Sequence, residues 1–105
     1  MSISFTYLSG RLTVYLSGEL DHHAARETMR KITELLDEYL PRRCVLDLSD
    51  LRFMDSSGVA LIVRLSRRMR ELGGSLSVEN PAGQARRVLS CAGVDKIVHL
   101  ATIGG

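Results

Sequence analysis

Residues 44–79 read CVLDLSDLRFMDSSGVALIVRLSRRMRELGGSLSVE, and the changes of hydrophobic period inside this stretch decide the fold. It opens on Cys44-Val45-Leu46-Asp47-Leu48, a short, nearly continuous apolar run of the kind found in a central strand covered on both faces. After Asp50-Leu51-Arg52-Phe53-Met54 and Asp55-Ser56-Ser57-Gly58, the apolar residues Leu61, Ile62, Leu65, Met69 and Leu72 recur at helical spacing, with arginines on the other face. Gly73-Gly74 ends that helix, and Ser75-Leu76-Ser77-Val78-Glu79 alternates as a strand. A strand, a crossover helix and a second strand form a right-handed parallel unit, which places the chain in the α/β class.

Working outward, Ile3–Leu8 and Arg11–Leu16 both alternate, with Ser9-Gly10 between them as a hairpin turn. Asp21 is a good N-cap for a helix over about His22 to Leu40, marked by Ala25, Met29, Ile32, Leu35, Leu36 and Tyr39 and stopped by Pro41. Downstream, Asn80-Pro81 reads as an N-cap followed by proline at the first helical position. The third helix shows Ala85, Val88, Leu89 and Ala92 on its apolar stripe, and Ile97–Leu100 is the last strand. The order β-β-α-β-α-β-α-β predicts a layered domain over residues 1–105: a mixed sheet with an N-terminal hairpin, parallel later strands and helices packed on it.

Composition narrows the function classes. The longest apolar run, Val59–Val63, is five residues, against about 20 for a membrane-spanning helix. The N-terminus lacks a basic region leading into an apolar core, so a cytoplasmic protein is expected, with no membrane partner. A net charge of +2 is too small to imply a polyanion, and no aromatic residues interleave with Arg64, Arg67, Arg68 and Arg70 to stack bases, so no nucleic-acid partner is expected. Cys44 and Cys91 are isolated within apolar runs and read as buried reduced thiols, not as a disulfide or a metal knuckle.

The chemistry-bearing segment is Asp55-Ser56-Ser57-Gly58, where the central strand gives way to a helix N-terminus. That edge of an open α/β sheet is its habitual functional crevice, and a helix N-terminus favours an anionic phosphate. By itself the segment reads first as a cap, since Ser and Asp are the commonest caps. Gly58 is the residue a cap does not need, because glycine inside a helix costs about 1 kcal/mol relative to alanine. Its missing side chain would leave the backbone open to a partner's active site. A small serine hydrolase with His22 or His23 as base is a weaker alternative. Met54 stands where the nucleophile elbow needs its first glycine, and only His99 follows the serine in a triad's chain order. The adjacent His22 and His23 point in different directions on a helix, so no metal ligand set is expected.

Three segments carry a family resemblance: Leu16-Ser17-Gly18-Glu19-Leu20-Asp21-His22-His23, then Leu46–Leu51 running into Phe53–Gly58, and Gly73-Gly74. Together they resemble the STAS domain (sulfate transporter and anti-sigma antagonist), and within it the anti-sigma factor antagonists of the sporulation sigma-F branch. The resemblance covers nearly the whole chain and implies a STAS-like layered domain without catalysis or a cofactor of its own. It implies that Ser56 is phosphorylated by an anti-sigma factor that is also a serine kinase, which uses ATP. The unphosphorylated form would bind that kinase and release its sigma factor, and a PP2C-type phosphatase would reset the switch. Asp21, His22 and His23, with Asp55, Ser56, Ser57 and Gly58, would form the contact surface. A sensory or scaffold module of a larger signalling complex is the alternative use of such a domain. The resembled antagonists continue past the last strand into another helix, where this sequence reads Ala101-Thr102-Ile103-Gly104-Gly105.

Overall fold

A computed structural model describes residues 1–101. The chain runs β1 (Ser2–Leu8), β2 (Arg11–Leu20), α1 (His22–Tyr39), β3 (Arg43–Met54), α2 (Ser56–Glu71), β4 (Ser75–Glu79), α3 (Gly83–Cys91), one 3-10 turn (Val94–Lys96) and β5 (His99–Ala101). The strands lie in sequence order in one sheet, β1 antiparallel to β2 and every later neighbour parallel, with β3 in the middle. The expected mixed sheet, hairpin and layered class are therefore present. Ser9 (φ 52°) and Gly10 (φ 80°) turn the hairpin with two left-handed residues, the pairing that matches the twist of the flanking strands.

The core occupies one face of that sheet. Leu12, Val14 and Leu16 of β2, Cys44, Leu46 and Leu48 of β3, and Leu76 and Val78 of β4 form one cluster with the stripes of all three helices: Ile32 and Leu36, Leu61, Ile62, Leu65 and Met69, Ala85 and Leu89. Ile3, Phe5 and Tyr7 of β1 pair with Leu16, Val14 and Leu12. Tyr39 of α1 closes over them, its ring 4.8 Å from Tyr7 and 5.6 Å from Phe5. The opposite face carries Arg11, Thr13 and Tyr15 beside a shallow open groove that also touches Thr6 and Arg43. The expectation of a central strand covered on both faces is thus corrected. Val45 is buried on the second face, but it joins no part of the helical core.

Four boundaries also differ from the sequence reading. β2 continues to Leu20 and β3 to Met54, pairing beyond their apolar halves through irregularities at Tyr15/Ser17 and Gly18/Glu19. Asn80 is not a cap: its backbone is left-handed (φ 58°) and its amide Nδ2 donates to Asp47 Oδ2 at 3.1 Å, so a tertiary bond claims the side chain. α3 consequently starts at Gly83, with Ala82 as an N-cap that has no side-chain bond. The last strand begins at His99, because the N–H groups of Ile97 and Val98 both turn back to Val94 O at 2.9 Å, just after the 3-10 turn.

The α2–β4 junction shows how tightly the crossover is drawn. Gly73 is left-handed (φ 78°), its N–H donates to Arg70 O at 3.0 Å, and Gly74 N–H donates to Met69 O at 2.8 Å, the two bonds of a Schellman closure. A Cβ on Gly74 would collide with the Arg42 carbonyl oxygen, a backbone atom that also accepts from Ser75 N–H. Gly74→Ala should therefore destabilise the fold by about 2 kcal/mol, read as a lower midpoint in urea unfolding, because the collision is with main chain and not with a flexible side chain.

The two cysteines part company. Cys44 is buried and its thiol is pushed up to about 12 by loss of solvation, whereas Cys91 is exposed, against the expectation for both. In the native protein at pH 8 an aromatic disulfide reagent should titrate one thiol, Cys91, rapidly, and Cys44 should react only after denaturation.

Candidate functional site at the ends of the central strands

Leu20 and Met54, the last residues of β2 and β3, are register partners. The chain therefore leaves both strands at the same level, and Asp21 and Asp55 stand next to each other as the N-caps of α1 and α2. Asp21 Oδ1 accepts from Ala24 N–H at 2.9 Å, and Asp55 Oδ1 accepts from Ser57 N–H at 2.8 Å. Two helix N-termini thus converge on the carboxyl edge of the parallel strands, and their like partial charges are offset by the two cap carboxylates. The bond from Ala24 N–H, with help from His23, holds the Asp21 carboxyl below the usual carboxylate range.

The serine pair splits in direction. Ser56, the first residue of α2, is exposed; Ser57 is half-buried. Ser57 Oγ lies 3.4 Å from His22 Nδ1, at one end of a groove between α1 and α2 lined by Arg26, Met29, Ala60 and Arg64. Ser56 opens instead on a groove between α2 and α3. His23 is exposed and borders a third depression with Asp21, Gly18, Glu19 and Arg52. The structure thus gathers Asp21, His22, His23, Asp55, Ser56 and Ser57 on one edge. The His22–Ser57 contact has no carboxylate bonded to the imidazole among the described residues, so the third member of a nucleophilic triad is missing there.

Gly58 has a different role from the one its sequence position implies. It is buried, and a Cβ there would stand 2.6 Å from Met54 Cγ and 3.1 Å from Leu20 Cδ2. Its missing side chain lets α2 cross directly over the two strand ends; it offers no surface to a partner.

Gln84 escaped the sequence reading altogether. β4 stops pairing with β3 at Asp47, so the far end of β3 has no strand on that side. The Gln84 amide fills the gap: Met54 N–H donates to Gln84 Oε1 and Gln84 Nε2 donates to Met54 O, both at 2.8 Å. A glutamine two positions into a helix gives no sequence signal of such a bond, since any amide in that register could face solvent. Arg68, one of the arginines on the polar face of α2, bonds Asp37 of α1 at 3.0 Å and so ties the two helices across their groove.

The STAS domain family model matches residues 3–103. An anti-sigma F factor antagonist of Paenibacillus polymyxa is 33% identical over 100 residues, 95% of this chain and 86% of that protein. Among solved structures, the anti-sigma factor antagonist SpoIIAA in its unphosphorylated form superposes with a TM-score of 0.82 at 27% identity, covering 97% of this chain and 90% of that one. The phosphorylated form of the Bacillus cell fate determinant SpoIIAA gives 0.73 at 27% identity, covering 97% and 93%.

The lowered Asp21 carboxyl fixes the sign of a pH effect. A group with a depressed folded pKa contributes stability above its ordinary value and loses it as pH falls through the folded value. Asp21→Ala should lower the melting temperature by a few degrees at neutral pH, and the gap to the parent should close as the pH is taken below the ordinary carboxylate range. Melting curves over a pH series provide the check.

Proposed function

Because the chain belongs to the STAS domain family, among its anti-sigma factor antagonists, we propose that it is a phosphorylation-controlled binding protein with no catalysis of its own. Its partner is an anti-sigma factor that is also a serine kinase. The unphosphorylated form binds that kinase through the edge formed by Asp21, His22, His23, Asp55, Ser56 and Ser57, and the sigma factor is released. Phosphorylation of Ser56 ends the interaction, and a PP2C-type phosphatase restores it. In the modifying step the Ser56 hydroxyl loses its proton and takes the γ-phosphoryl group of ATP, leaving ADP. The proposed switch acts in the cytoplasm, where sigma factors work; no helix among the described residues is long and apolar enough to cross a membrane.

The observation that carries this reading is the divergence of the serines. Ser56 is exposed at the first position of α2, where a kinase can reach its hydroxyl, while Ser57 is half-buried beside His22. Sequence alone gave no physical ground for preferring one over the other.

Magnitudes support an electrostatic switch. A phosphoserine adds about −1.5 to −2 charges. One unit-charge repulsion at about 4 Å in a surface dielectric is worth roughly 4 kcal/mol, close to a thousandfold in affinity. The helix N-terminus tolerates the new charge, so release of the partner requires no unfolding.

Incubation with the cognate kinase and ATP should place one phosphate on Ser56, and its localisation to Ser57 by mass spectrometry would overturn the assignment. Ser56→Ala should bind the kinase persistently. Ser56→Asp, with one charge and without the phosphate oxygens, should weaken binding less than phosphoserine does. Both should melt near the parent temperature. Titration against the kinase with nucleotide present decides the matter: tight binding by Ser56→Asp, or loss of binding only through unfolding, sinks the proposed switch.

A further inference from the structure

The groove that receives Ser56 lies between α2 and α3 and is lined by Val59, Arg87, Val88, Cys91 and Ala92. Its lining is almost wholly apolar, and Ser56, Cys91 and Arg87 are the residues there that carry a polar group. The ion pairs among the described residues engage Arg30 and Arg68, and Arg87 takes part in none of them. An arginine that has no acidic partner among the described residues therefore lines the same groove as the serine proposed to acquire a phosphate.

We propose that Arg87 is the receptor for the phosphate on Ser56, drawing the modified side chain across the α2–α3 groove instead of leaving it in solvent. This rests on the reading of Ser56 as the phosphorylated residue, and it adds a structural consequence to that reading. A guanidinium presents a planar fork that matches two phosphate oxygens, and it stays charged throughout the pH range in which a phosphomonoester takes its second charge. Arg87 and Val88 of α3 line the same groove as Val59 of α2, so a phosphate drawn into it by Arg87 lies between apolar walls of the two helices. Phosphorylation then covers an apolar surface as well as adding charge, and the phosphate links α2 to α3.

The alternative cations on this edge favour Arg87 by position. Arg26, Arg30 and Arg64 line the groove on the α1 side, which Ser57 faces. They lie across α2 from the Ser56 groove. The proposal therefore makes a residue-specific statement and not merely one about a basic surface.

The test installs phosphoserine at position 56 by genetic-code expansion, so no kinase is needed, and follows its phosphorus resonance through a pH titration. Pairing with Arg87 stabilises the dianion, so the midpoint in the parent should fall below the value of about 6 for phosphoserine free in solution. Arg87→Gln should raise it by about half a unit, the scale expected for a partly solvated ion pair. Arg87→Lys, which keeps the charge but loses the fork, should recover part of the shift, and Arg64→Gln should leave the midpoint alone. An unchanged midpoint in Arg87→Gln overturns the proposal. So does an equal shift in Arg64→Gln, which would assign the effect to the basic surface as a whole. Failure of the kinase to modify Ser56 would instead defeat the proposed function and leave this titration standing.

Discussion

The parallel register that sets Leu20 opposite Met54 governs the rest of the functional edge. Two strands that end at one level must release their chains at one level. The next residues, Asp21 and Asp55, become adjacent caps, and α1 and α2 begin as neighbours with their positive ends together. Both strand-end side chains are fully buried, which keeps the junction from fraying and passes the sheet's rigidity to the first turn of each helix. Gly58 belongs to the same constraint. Any larger residue would have to displace Met54 or Leu20, and the first turn of α2 would lift away from the strands that position it.

Below this edge the chemistry is apolar and closed, and at it the chemistry is polar and open. Each of the two cap carboxylates spends one oxygen on a backbone N–H, so the surface on which recognition depends is held by the bonds that start the helices. A charge added at Ser56 meets water, a helix N-terminus and the α2–α3 groove, whereas one added at Ser57 would have to displace the contact with His22. Modification on the exposed side can alter recognition while leaving the packed layer undisturbed.

Residues with strong periodicity made most of the fold legible in the sequence: the helical stripes through Ile32 and Leu36 and through Leu61, Leu65 and Met69, the alternating hairpin, and the glycine pair after Leu72. Asp21 and Asp55 were equally plain, because a cap is a local feature read within three residues. What stayed hidden depends on distant partners. The polar second halves of β2 and β3 look like loops until they are paired, and Asn80 looks like a cap until Asp47 claims its amide. Gly58 shows in sequence only that a side chain is missing, and the Met54 and Leu20 side chains that occupy the space are a tertiary fact. Cys91 sits in the same kind of apolar context as Cys44, and only the placement of α3 leaves one in the core and the other on the rim of a groove.

Gln84 carries a mechanical consequence beyond its two bonds. By taking the place of an absent strand at Met54, it pins α3 to the sheet at a point one turn before Arg87 and Val88. Residues three and four positions apart share a helix face, so the amide sets both the height and the rotation at which that wall of the groove stands against α2. A helix held only by Ala85 and Leu89 could slide or roll on its greasy stripe, but paired hydrogen bonds tolerate only small displacement. The glutamine thus works as an alignment pin, fixing the width of the gap beside Ser56 to the geometry of the central strand.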